Sequence, residues 1–247
     1  MTWTKQLQDY HDSVPLLKRL HILCTKLDTN QRVNREDCTL LWTKIGLIRG
    51  RDAATFRTVT RQNDPHEFIT WLYKQYAFLF SELLINTTQY LTCPGCNKQD
   101  TMETKNELGR SIPVNRKLTD SLSEAWSETY IDRKACIQCG FAGKHKMRHE
   151  LSKKPDVLCL QIKRWQTINA LKDMTGIEIP KTLYIGTCLY TLHAIIEHHG
   201  PTTNSGHYTA YVQRETFVCM NDEMVSQQEP ELANNTEAYL IIYNGSP

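Results

Sequence analysis

Residues 156–165 read DVLCLQIKRW, and this stretch decides what the rest of the fold must supply. In an extended chain successive side chains point to opposite faces. Leu158, Leu160 and Ile162 therefore share one face, and Val157 and Cys159 share the other. Both faces are apolar, so the strand is expected inside a β-rich lobe, covered on both sides. Its neighbours are expected downstream. YTLHAIIEHHG (190–200), GHYTAYVQ (206–213), FVCMND (217–222) and EAYLIIY (237–243) read as four further strands. Gln213 to Thr216 reads as a hairpin connection.

Upstream the periodicity changes. Leu16, Leu20, Leu23 and Leu27 recur at helical spacing behind Pro15. A second helix is expected from about Asp37 to Ile48. A third begins in NDPHEF (63–68), with Asp64 as N-cap, Pro65 at the first helical position and Glu67 completing a capping-box-like pattern. Phe68, Leu72, Tyr76, Leu79 and Leu83 then form one apolar stripe. Between helices and strands, RSIPVNRKLTDSLSEAW (110–126) can supply a strand and a helix. The expected class is α+β: a helical part over residues 1–85, a middle region over 86–155, and an antiparallel β-rich lobe over 156–247.

Composition narrows the function. The 247 residues carry 29 basic and 27 acidic side chains, a net charge of +2, with no basic block or stripe. Nucleic-acid binding is therefore not expected. No apolar run approaches the roughly 18 residues that span a bilayer, so no membrane segment is expected. MTWTKQLQDYHD has no apolar stretch of the signal-peptide kind. The reading is a monomeric cytoplasmic or nuclear protein whose nine cysteines are reduced thiols or metal ligands.

Four of those cysteines stand in pairs, Cys93-Pro-Gly-Cys96 and Cys136-Ile-Gln-Cys139. A two-residue gap lets both thiolates of a pair bind one ion while backbone amides point at the sulfurs. Two pairs supply the four ligands of a closed tetrahedral zinc site, with no open position for chemistry. The alternatives are free thiols or a single redox pair. A redox C-x-x-C usually stands alone at a helix start. Thirty-nine residues lie between Cys96 and Cys136, so the chain must fold as an excursion between the two halves of the site.

His207 follows Gly206, which permits the close approach of another backbone or of an extended substrate. A histidine base needs its far ring nitrogen held by a carboxylate or amide. Two adjacent antiparallel strands would bring Asn221 or Asp222 there. The plainer alternative is a surface histidine and a turn-forming Asn-Asp pair.

Taken in order, these motifs resemble the catalytic domain of the ubiquitin-specific proteases, a family of papain-like cysteine proteases. RQNDPHEF is similar to the family's Gln-Gln-Asp-Ala-His-Glu-Phe motif, and the paired cysteines resemble its zinc-binding fingers. KKPDVLCLQIKRW resembles its Leu-Lys-Arg-Phe strand, LHAIIEHHGPTTNSGHYTAYV its His box, MNDEMV the segment with the third catalytic residue, and EAYLIIY its closing strand. The resemblance runs from about residue 15 to 243. It implies a thumb, palm and fingers architecture, the middle region forming the fingers around structural Zn2+. It implies ubiquitin or a ubiquitin-like protein as partner, with the C-terminal tail between thumb and palm. His207 matches the general base and Asn221 its orienter, with Asp222 the adjacent acid. Gln62 and Asp64 match positions that hold the tail. Asp64 can meet a basic side chain of such an extended peptide. Pro65 and Trp165 replace the usual alanine and phenylalanine.

One departure bears on chemistry. The family's nucleophile lies in a Gly-Asn-x-Cys-Tyr-x-Asn box at a helix start, where the backbone dipole lowers the thiol pKa. No Gly-Asn dipeptide occurs in this sequence. The box is expected upstream of Met1. Cys24, Cys38, Cys159, Cys188 and Cys219 read as small core residues or as thiols in surroundings that disfavour the thiolate. Two functions follow: a deubiquitinating cysteine protease completed by an upstream box, or a ubiquitin-binding pseudo-protease. A zinc-ribbon module unrelated to ubiquitin leaves His207, Asn221 and Asp64 unexplained.

Overall fold

The apolar stripe of the first helix and the double-sided strand at 156–165 become the centres of two separate cores. The computed structural model describes residues 7, 14–29, 31–48, 63–133, 135–165, 171–202 and 205–246. Gln62 lies outside them.

Helix α1 spans Pro15–Asp28 and buries Leu16, Leu17, Leu20 and Leu23. Leu27, expected on the same stripe, is exposed. Helix α2 spans Arg35–Ile48. It starts earlier than expected because Asn34 and Asp37 cap it reciprocally: the Asp37 amide donates to Asn34 Oδ1 (2.9 Å), and the Asn34 amide to Asp37 Oδ2 (3.1 Å). Asp37 also accepts from Arg19 and Lys26 of α1, tying the two helices together. Helix α3 spans Pro65–Gln75. The continuous stripe expected through Leu83 is broken. Tyr76 leaves helical geometry, and a 3-10 turn over Ala77–Phe80 redirects the chain so that Leu79 and Phe80 are buried. With Leu7, Leu16, Leu17, Leu20, Ile45, Trp71 and Leu72 they form the helical core.

Two sheets follow. Strands β1 (Leu84–Thr92), β2 (Gln99–Leu108), β4 (Thr129–Arg133) and β5 (Gly143–Lys153) make a four-stranded antiparallel sheet in the order β2-β1-β5-β4. Between β2 and β4 the chain returns through β3 (Arg110–Ile112) and helix α4 (Leu118–Ala125), the strand and helix expected there. The larger sheet runs β11-β10-β9-β8-β12-β6-β3, with β7 (Thr182–Ile185) also paired to β8. Its other strands are β6 (Val157–Ile162), β8 (Cys188–Thr202), β9 (Ser205–Gln213), β10 (Phe217–Asn221), β11 (Met224–Gln227) and β12 (Ala238–Gly245). All its pairs are antiparallel except β3 with β6, which is parallel. Leu158, Leu160 and Ile162 of β6 join Ile195, Tyr211, Ile241 and Tyr243 in the second core, and Cys159 is buried on the other face. The chain is α+β, as its sequence pattern predicts.

Candidate active site and cysteine centre

The β8–β9 hairpin pairs His199 with His207 and Ala194 with Val212. Strand β10 pairs with β9 in the register Met220↔Ala210. This puts Asn221 diagonally across from His207 on one face of the sheet. His207 Nε2 lies 2.6 Å from Asn221 Oδ1. An amide oxygen only accepts, so this ring nitrogen is the donor, and in the neutral ring Nδ1 is then the nitrogen with the lone pair. Asp222, the other candidate orienter, occupies the β10–β11 turn with φ +52° and is exposed. Its carboxylate makes no hydrogen bond to the ring. The residue bonded to the ring is thus Asn221, the one that the family resemblance gives as the orienter.

Gly206 is required by contact. A Cβ there would stand 2.5 Å from the His199 carbonyl oxygen and 2.5 Å from His198 Nε2. The close neighbour anticipated at this glycine is thus the protein's own β8.

Asp64 caps α3: its Oδ1 accepts from the amides of His66 (2.7 Å) and Glu67 (3.1 Å). Its Oδ2 accepts from the Tyr239 hydroxyl at 2.7 Å. The Tyr239 hydroxyl in turn accepts from Gln161 Nε2 (2.9 Å), and Gln161 Oε1 accepts from Ser111 Oγ (2.6 Å). Four residues from α3, β12, β6 and β3 form one hydrogen-bonded chain across the seam between helices and sheet. Burial and the Asp64 carboxylate push the Tyr239 phenol well above its usual range. Sequence reading took Tyr239 only as part of a strand. The available signal was a tyrosine within a strongly apolar strand, since a buried hydroxyl needs a partner. Beside this seam a cleft of about 600 Å³ opens between α3 and β3, lined by His66, Thr70, Lys74, Arg110, Ser111 and Lys163 among others.

The four paired cysteines converge at the far end of the smaller sheet, all four sulfurs within 4.8 Å of one another. Cys93 and Cys139 are 3.7 Å apart, Cys96 and Cys136 3.9 Å. A tetrahedral ion with metal–sulfur bonds of about 2.3 Å requires edges of about 3.8 Å. The two knuckles repeat each other. The amides of Asn97 and Gly140 donate to the Cys93 and Cys136 carbonyls, each at 2.8 Å. Both residues take left-handed backbone, φ +57° and +72°. Backbone amides of Cys139, then Gln138, draw the Cys136 thiol down to about 6. Four soft sulfur donors converging in this way suit a metal cation.

The other five cysteines are scattered. Burial pushes Cys24 up and Cys159 up to about 12; burial and then Asp37 push Cys38 up. None of the nine thiols is hydrogen-bonded to His207.

The sequence matches the family model for ubiquitin carboxyl-terminal hydrolase over residues 3–243. The chain belongs to the ubiquitin carboxyl-terminal hydrolase family. Among individual members it is similar to ubiquitin carboxyl-terminal hydrolase 3 of Homo sapiens, 32% identical over 44% of this chain and 24% of that protein. It is also similar to ubiquitin carboxyl-terminal hydrolase 4 of Arabidopsis thaliana, 25% identical over 71% of this chain and 54% of that one. This hydrolase-family chain thus spans about a quarter to a half of the length of those relatives. Its fold is that of a chain in the SAGA DUB module Ubp8/Sgf11/Sus1/Sgf73 solved bound to monoubiquitin. The TM-score is 0.74 at 24% identity, covering 86% of this chain and 54% of that one. The same module bound to ubiquitin aldehyde gives a TM-score of 0.73 at 23% identity.

Proposed function

We propose that this domain binds ubiquitin and forms the base-bearing part of a deubiquitinating cysteine protease. The observation that carries the reading is the His207–Asn221 pair at 2.6 Å, on the strand hairpin that adjoins the Asp64–Tyr239 seam. Tyr208, the residue after the base, lies with its ring 6.0 Å from that of Tyr239. In this reading His207 Nδ1 takes the proton of a thiol, and Asn221 holds the ring and steadies the imidazolium that forms. The thiolate then attacks the carbonyl at the end of the ubiquitin tail. The tail runs between α3 and the larger sheet, with Asp64 beside it. The reading assigns the thiol to none of the nine cysteines of this sequence. A structural zinc ion held by Cys93, Cys96, Cys136 and Cys139 fixes the tip of the smaller sheet, which receives the body of ubiquitin.

The test uses the full-length protein and a fluorogenic ubiquitin C-terminal substrate. His207→Ala abolishes hydrolysis and leaves ubiquitin binding intact. Hydrolysis that survives this substitution would overturn the assignment of the base. The absence of a thiol hydrogen-bonded to His207 favours a second reading, a domain that binds ubiquitin without cleaving it. Ubiquitin binding by a full-length protein that hydrolyses nothing would select that reading.

A further inference from the structure

The strand end that carries His198 and His199 is gripped from behind by a buried lysine. Lys172 pairs with Trp165 through an isolated antiparallel bridge, which fixes its backbone beside the end of β6. Its side chain is 1% exposed. The ammonium donates to the Glu237 carboxylate and to the His198 backbone carbonyl. A buried ammonium costs several kcal/mol unless it is paired and hydrogen-bonded, so apolar filler would be the default choice here. The His198 amide donates to the Glu237 carbonyl at 2.9 Å. Both backbone groups of His198 are therefore held by one triangle, Lys172–Glu237–His198.

The consequence falls on the neighbouring strand. The His198 ring is fully buried, 5.1 Å from the Trp165 ring and 4.7 Å from that of Tyr208. It also lies against Gly206, where an added Cβ would meet its Nε2 at 2.5 Å. His198 thus touches the residues on both sides of His207 without being bonded to the base itself.

We propose that Lys172 is a positioning residue for His207, acting through the clamped His198 ring that seats Gly206 and Tyr208. The proposal rests on the reading of His207 as the base. Lys172→Met keeps the chain length and removes the two charged hydrogen bonds. Nuclear magnetic resonance of the imidazole nitrogens reports the result without substrate. In the wild type, His207 shows one neutral tautomer with Nε2 protonated and its ring proton protected by Asn221. In Lys172→Met both tautomers appear and the ring proton exchanges about tenfold faster or more, as a weakened hydrogen bond allows. Methyl signals of Ile195 and Ile241 in the core stay in place. A folded Lys172→Met protein with an unchanged His207 spectrum would overturn the proposal. If that variant does not fold, Glu237→Gln poses the same question from the partner side, whose carboxylate is 24% exposed. An unchanged His207 spectrum in Glu237→Gln is then equally contrary. Failure of the base reading is seen separately, as full-length His207→Ala that still hydrolyses substrate.

Discussion

The two sheets of this protein are stabilised by different physics. The eight-stranded sheet buries aliphatic and aromatic side chains from β6, β8, β9, β10 and β12 in one continuous cluster. Among the described residues, the four-stranded sheet adds Ile85 alone to that cluster as a fully buried side chain. Its other buried side chains include Thr87, Thr88, Leu91 and His145. A sheet with so little apolar burial does not hold itself together in water. What it has instead is the cysteine centre that joins the β1–β2 turn to the loop before β5. One sheet is held by its own apolar core, and the other is expected to depend on a metal ion bound at its tip.

The largest expected effect would break this contrast at its weaker side. Structural zinc in small sites contributes apparent binding free energies of about 10–16 kcal/mol. Chelation, or Cys136→Ser, should therefore abolish hydrogen-exchange protection over 84–108 and 129–153 while β8 and β12 keep theirs. Elemental analysis of the folded protein should find one zinc per chain. Protection unaffected by chelation would mean that the smaller sheet has another source of stability. At the stronger side, Ile241→Ala removes a fully buried side chain from the core cluster. It should cost about 2–5 kcal/mol in denaturant unfolding and act on the whole domain.

The seam between helices and sheet comes next in magnitude. Tyr239→Phe removes the hydroxyl that links Asp64 to Gln161. The expected loss is about 1.5–3 kcal/mol, the value of a hydrogen bond to a charged group. Exchange at the His66 and Glu67 amides should quicken first. The smallest effect is in the helical pair. Lys26, and then the Asn34 amide, hold the Asp37 carboxyl below its usual range. Its contribution is fully present above the unfolded value of about 3.9 and is lost as pH falls through the lower folded value. Acid should therefore loosen the α1–α2 pair below about pH 4, and Asp37→Asn should remove that dependence.

What the sequence made legible was local. The β6 alternation, the knuckles and the His207–Asn221 pair each depend on short spacings or on consecutive strands joined by a tight turn. The Asp64 cap was also visible, because Asp-Pro at a helix start has a mechanism of its own. The start of α2 was missed by two residues, although Asn34 and Asp37 have the spacing of a capping box. Distant pairings were not readable. Nothing local tells Arg110–Ile112 to lie parallel to β6, about fifty residues later. The Ser111–Gln161–Tyr239–Asp64 chain joins four distant segments, and the burial of Lys172 depends on Glu237 across the sheet. Spacing alone left Asn221 and Asp222 both open; the family resemblance singled out Asn221, and the strand register puts it on the face of His207.

In the proposed function ubiquitin's tail lies between α3 and the larger sheet, beside the Asp64–Tyr239 seam. Calorimetric titration of this 247-residue domain with ubiquitin, and with ubiquitin lacking its C-terminal residues, tests it most directly. Asp64→Asn is the companion variant, because asparagine also caps a helix while the charge is lost. Saturable binding that weakens when the tail is shortened or Asp64 is neutralised is expected. Binding indifferent to both changes, or no binding at all, would contradict it.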